Sequence, residues 1–124
     1  MKFIIGLIIF LLIFSTACYY DNEEDLYPVS LNTCDTINVT YNGTIVPLLN
    51  NHCLSCHSNI LAPSLGGNIP LENYNDVKET AIEGSLYGSI SYNPDYSSMP
   101  IDYKLDECTI KKVKIWIENG AKND

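Results

Sequence analysis

"NHCLSCHS", residues 51 to 58, sets two cysteines two residues apart with a histidine directly behind the second. That spacing serves three chemistries: a redox dithiol, half of a zinc site, or the covalent anchor of a haem. Which one applies depends on the compartment the chain occupies and on what other ligand-bearing residues it holds.

The compartment is read at the N-terminus. Met1 and Lys2 form a short positive region, and Phe3 to Phe14 (FIIGLIIFLLIF) is an apolar run of 12 residues. A spanning helix needs about 20 apolar residues, so a run of this length with small residues behind it reads as a signal peptide over residues 1–17. Ser15-Thr16-Ala17-Cys18 resembles the lipobox of bacterial lipoproteins, with Ser15 standing where Leu is usual. Cys18 then becomes the lipidated first residue of the mature chain; the alternative is ordinary secretory cleavage with Cys18 a bystander. Residues 18–33, with "YYDNEEDLYP" from Tyr19 to Pro28, read as an acidic tether between lipid and domain. The same acidic cluster resembles the surface-export signals of some Gram-negative lipoproteins. The expected setting is an exported lipoprotein of a Gram-negative-type envelope, facing the periplasm or displayed on the outer membrane.

Beyond residue 17 the chain carries 6 Lys, no Arg and 15 Asp or Glu, a formal charge of −9. This argues against nucleic acid and against electrostatic adhesion to anionic lipid, and it favours protein partners with basic docking surfaces. Five cysteines are present: Cys18, Cys34, Cys53, Cys56 and Cys108. With Cys18 lipidated and Cys53 and Cys56 acting as one unit, Cys34 and Cys108 remain. In an exported chain such a pair is most simply a disulfide, two free thiols being the alternative. Residues 34–124 form the expected domain, small enough that a covalent staple or a cofactor supplements the core.

Within that domain the pattern is of short helices and long loops. Thr44 is expected to cap a helix through "IVPLLNNHC", with Pro47 in its first turn and Ile45, Leu48 and Leu49 on one face. "SNILAPSLGGNIPLENY" is too rich in Pro, Gly and Asn for a regular element. Asn75 or Asp76 is expected to cap a helix stopped by Gly84, with Val77, Ala81 and Ile82 facing inward, and Ser85 to start another short turn. Ser91 to Lys104 reads as a second long loop. The clearest element is last: Asp106 caps "ECTIKKVKIWIENG", where Ile110, Val113 and Ile117 recur at spacings of three and four, Trp116 broadens the stripe, and Gly120 ends it. Two long loops and a thin apolar inventory imply that something other than side chains fills the middle.

C-x-x-C-H is the attachment signature of c-type haem: each thiol adds to a vinyl group to give a thioether, and the next residue, His57, reaches the iron as proximal ligand. The rivals lack partners. Zinc needs a second ligand pair, but His52 adjoins Cys53 and the other cysteines are single and distant. A thioredoxin-like dithiol calls for a βαβ setting, and no strand pattern flanks the motif. Met99 is the only methionine beyond the signal segment, in a loop 42 residues after His57 and before Pro100. It is the candidate distal ligand; a lone Met is otherwise core filler, and His52 cannot easily cross to the opposite face of the haem. An open or water-ligated iron is the alternative.

The order of helix, "CLSCH", Pro-containing loop, short helices, "SSMP" and a Trp-bearing terminal helix resembles the class I monohaem cytochromes c. More closely it resembles small lipoprotein cytochromes related to the planctomycete-type cytochrome c domain. The resemblance covers about residues 34–122. It implies an all-α, class I cytochrome c-like fold around one covalent haem c. It further implies Cys53 and Cys56 as thioether residues, and His57 and Met99 as iron ligands. Pro63 in "APSLGG" is similar to the proline whose carbonyl accepts a hydrogen bond from Nδ1 of the proximal histidine. Trp116 matches an aromatic that packs near the haem, or else is plain core. The implied function is a membrane-anchored one-electron carrier, not an enzyme. Two alternatives stand beside it: a haem subunit relaying electrons within a dehydrogenase or reductase complex, and a ligand-sensing haem in which Met99 dissociates.

Overall fold

The helical part of the domain starts at Thr40, whose side-chain oxygen accepts a hydrogen bond from the Gly43 N–H. A π-helical turn, Tyr41–Ile45, runs directly into α1, Val46–His52, with the Val46 N–H donating to the Tyr41 carbonyl and Pro47 next in the chain. The helical turn therefore begins one turn earlier than Thr44, the expected cap. Its extra turn is held from the far end of the chain: the backbone N–H of Tyr41 donates to the Asp124 carboxylate at 2.8 Å and that of Asn42 to the Asp124 carbonyl at 2.9 Å.

This computed structural model describes residues 34–124. The expected signal peptide over residues 1–17, the expected lipidation site Cys18 and the expected tether over 18–33 lie outside the described residues. After α1 come α2 (Leu54–His57), α3 (Tyr74–Ile82), α4 (Ser85–Ile90) and α5 (Glu107–Glu118). No strand occurs among the described residues, so the domain is all-α.

Each junction has a local cause. Gly84 takes a left-handed conformation, φ 86°, between α3 and α4, which a side chain would oppose. Asp106 caps α5 by accepting from the Thr109 N–H at 2.9 Å and the Thr109 hydroxyl at 2.6 Å. Those two bonds, the hydroxyl's first, hold the Asp106 carboxyl below the usual carboxylate range. Helix α3 starts at Tyr74, ahead of the expected Asn75 or Asp76, because the Tyr74 hydroxyl donates to the Ala121 carbonyl at 2.8 Å and its ring meets Tyr41 edge-on.

The core lies between α5, the π-helical turn, α1 and the α3–α4 pair. Trp116 is its centre, 1% exposed, tilted against Tyr41 at 5.6 Å, with Nε1–H donating to the Lys122 carbonyl. Ile45, Leu48, Leu49, Val77, Ala81, Ile110 and Val113 close around it as their helical spacing requires. Ile82, expected to face inward, is 67% exposed at the end of α3. The core is fuller than the helical stripes foretell, because Leu71, Leu105 and Ala121 enter it from non-helical segments. Cys34 and Cys108 form a disulfide that ties the lead-in to the first turn of α5.

Candidate functional site

Residue Cys53 interrupts the helix that carries it. Its backbone, φ −123° and ψ −43°, separates α1 from α2, yet its carbonyl accepts from Cys56 N–H at 3.1 Å and from His57 N–H at 2.9 Å. One helical turn thus puts Cys53, Cys56 and His57 at spacings of three and four, positions that share a face. All three line an open cleft of about 420 Å³.

His57 is held from two directions by the loop that follows it. Its carbonyl accepts from Leu71 N–H at 2.8 Å, and its Nδ1 lies 2.7 Å from the Ile69 carbonyl. A carbonyl can only accept, so Nδ1 carries the proton, and in a neutral ring Nε2 is left with the free lone pair. The loop comes this close because residue 66 is glycine: a Cβ there would stand 2.9 Å from His57 Nδ1 and 2.7 Å from the Cys56 carbonyl.

The carbonyl facing His57 is therefore that of Ile69, not that of Pro63. The reason is the coiling of the intervening chain: Ala62 N–H bonds back to Ser58, Leu65 to Leu61 and Gly66 to Ala62, which leaves Pro63 exposed on the crest of the turns and outside the cleft lining. The chain regains His57 at Gly66 and meets its Nδ1 with the Ile69 carbonyl.

Met99 lines the same cleft from the opposite end of the sequence motif. Its N–H donates to the Ser89 carbonyl at 3.1 Å, and the Tyr92 hydroxyl donates to the Pro100 carbonyl at 2.6 Å. The Tyr96 ring covers Gly88, where any side chain would collide with it. His52 also lines the cleft, but its Nδ1 is engaged with the Tyr103 hydroxyl at 2.7 Å. Trp116 and the disulfide do not line it. The lining is otherwise largely apolar, with Leu65, Ile69, Leu71, Leu86, Ile90 and Ile101. Asp102 is its one carboxylate, and it includes no Lys or Arg.

The Cys53 thiol is pushed up to about 11 by burial alone. A nucleophilic dithiol works through a lowered thiol pKa, so this environment opposes that chemistry. Among the described residues no group of three or more His, Cys, Asp and Glu side chains gathers as a metal site. A structural zinc site takes four such ligands and a catalytic one three.

Sequence reasoning missed Ile69, Gly66 and Tyr103. The adjacent glycines of "LGG" were a signal of close backbone approach; a main-chain carbonyl such as that of Ile69 leaves none. Comparison with protein-family models, with curated proteins and with solved structures finds no match to this chain.

Proposed function

We propose that the domain binds one c-type haem, with Cys53 and Cys56 as the residues that would attach it and His57 and Met99 as those that would ligate its iron, within a small class I cytochrome c-like architecture, and serves as a one-electron carrier. The observation that carries this reading is convergence: Met99, 42 residues beyond His57, lines the same cleft as both motif cysteines and the histidine. Nothing in local sequence forces that meeting. The residues present suit such a group. The cleft falls within the range of about 300–1,000 Å³ usual for bound small molecules, and its walls are apolar over most of their area, with serines, Thr80 and Asn51 among them. Leu65 and Ile101 are 61% and 80% exposed although they line it, as side chains presented to an apolar ring would be.

A haem held in this way supplies a ferric–ferrous couple whose potential His/Met ligation raises. The chain's own residues do the rest. The Ile69 carbonyl fixes the His57 ring and its tautomer and raises the basicity of Nε2. Ser89 and Tyr92 hold the Met99–Pro100 backbone, which favours a closed sixth position and thus a carrier over a ligand-binding sensor. The acidic balance of the chain favours transient docking to redox proteins with basic surfaces. The signal segment and Cys18 support an exported, lipid-anchored setting, facing the periplasm or the outside of the outer membrane.

The test is production of the full chain in a periplasm equipped for haem attachment, followed by oxidised and reduced visible spectra of the wild type and of Met99→Ala. The expected result is a covalent low-spin haem whose far-red sulfur–iron charge-transfer band is absent from Met99→Ala. A chain that leaves such cells without covalent haem overturns the proposal.

A further inference from the structure

His52 and Tyr103 meet at the edge of the cleft. His52 ends α1 and adjoins Cys53; Tyr103 stands four residues beyond Met99 and is 48% exposed. Their 2.7 Å hydrogen bond is accompanied by an edge-to-face contact of the rings at 5.9 Å. The other fastenings of the methionine segment belong to its own side of the cleft: Met99 N–H to Ser89, and the Tyr92 hydroxyl to Pro100. Ile101 and Asp102, between Pro100 and Tyr103, are exposed. The bond between His52 and Tyr103 is therefore the fastening that joins the segment bearing Met99 to the helix that leads into the cysteine motif.

Given the His57 and Met99 ligation proposed above, on which this role depends, we infer that the His52–Tyr103 pair is a latch that positions Met99 and keeps small exogenous ligands, such as imidazole, from its place. Both are positioning residues: they line the cleft, but they act on Met99 through the loop that carries it. A partly exposed hydrogen bond adds little to the stability of the whole domain, but it acts directly on the local opening of its loop. A ligand that competes with Met99 binds in proportion to the open fraction. Loss of one such bond raises that fraction by up to about tenfold.

The test uses the full-length haem-loaded protein. Oxidised wild type, Tyr103→Phe, His52→Leu, His52→Asn and Asp106→Ala are titrated with imidazole while the Met99-dependent far-red band is followed. Tyr103→Phe keeps the ring and loses the hydroxyl; His52→Asn keeps a polar atom near the Nδ1 position. Asp106→Ala loosens α5 away from the cleft. The latch requires imidazole to bind more tightly to Tyr103→Phe and His52→Leu, by about two- to tenfold, with His52→Asn and Asp106→Ala close to wild type. Unchanged affinity in Tyr103→Phe and His52→Leu overturns it, as does equal tightening in Asp106→Ala, which would make the effect one of general stability. A wild type lacking the Met99-dependent band overturns the ligand set and the latch together. A wild type that has the band, with Tyr103→Phe behaving identically, overturns the latch alone.

Discussion

The Trp116 side of the domain and the Cys53 side are built by opposite means. Around Trp116, apolar side chains from helices and from the C-terminal residues bury one another almost completely. Around the cleft, backbone hydrogen bonds and tyrosine hydroxyls hold loops in place while apolar side chains such as Leu65 and Ile101 stay exposed. Leu71, Leu86 and Ile90 serve both, and Cys53 packs against the core from the cleft. One side stores the stability of the fold, and the other spends little of it to keep four chemically distinctive side chains around one space.

The comparison breaks most visibly at Trp116. Trp116→Ala removes the largest fully buried side chain and leaves the Lys122 carbonyl without its donor, so a loss of about 3–5 kcal/mol is expected from chemical denaturation. Replacing both Cys34 and Cys108 with Ser frees a loop with a sequence separation of 74. This should cost about 2–4 kcal/mol, and should lower the denaturation midpoint while sparing the visible spectrum of the proposed haem.

Gly66→Ala is the intermediate case and acts on the other side. A methyl group meeting main chain and the His57 ring at under 3 Å should cost about 1–3 kcal/mol, and in a protein carrying the proposed haem it should perturb the visible spectrum where the cysteine pair leaves it unaltered.

Asp106→Ala should cost about 1 kcal/mol through the lost cap. Because the Asp106 carboxyl is held low by Thr109 in the folded protein, its contribution is present above the ordinary carboxylate pKa and fades as pH falls through the depressed value. The stability difference between wild type and Asp106→Ala should shrink in acid. Leu65→Ser marks the smallest effect: at 61% exposure, stability should change by no more than about 0.5 kcal/mol, measured by the same denaturation.

Legibility followed the same division. Helix α5 was readable because its cap, its stripe and its stop are all local to residues 106–120. The start of α1 was not, since Asp124 holds Tyr41 and Asn42 from 82 to 83 positions away. Nor was the start of α3, where Tyr74 is anchored on Ala121. The impression of a missing core came from counting helical stripes alone, when Leu71, Leu105 and Ala121 fill it from irregular segments. Pro63 was named because a proline is visible in sequence; the carbonyl of Ile69 is a property of every residue and becomes distinctive only once turns bring it to His57.

By itself the sequence determined what is written in local pattern or in residue counts: the C-x-x-C-H spacing, the capped amphipathic last helix, and the pairing of Cys34 with Cys108 left over from cysteine arithmetic. Tertiary structure alone decided which carbonyl faces His57, that Met99 shares its cleft, and that His52 is tied to Tyr103. Those outcomes depend on loop closure over tens of residues, where hydrogen bonds between distant backbone groups, and not local propensity, select the conformation.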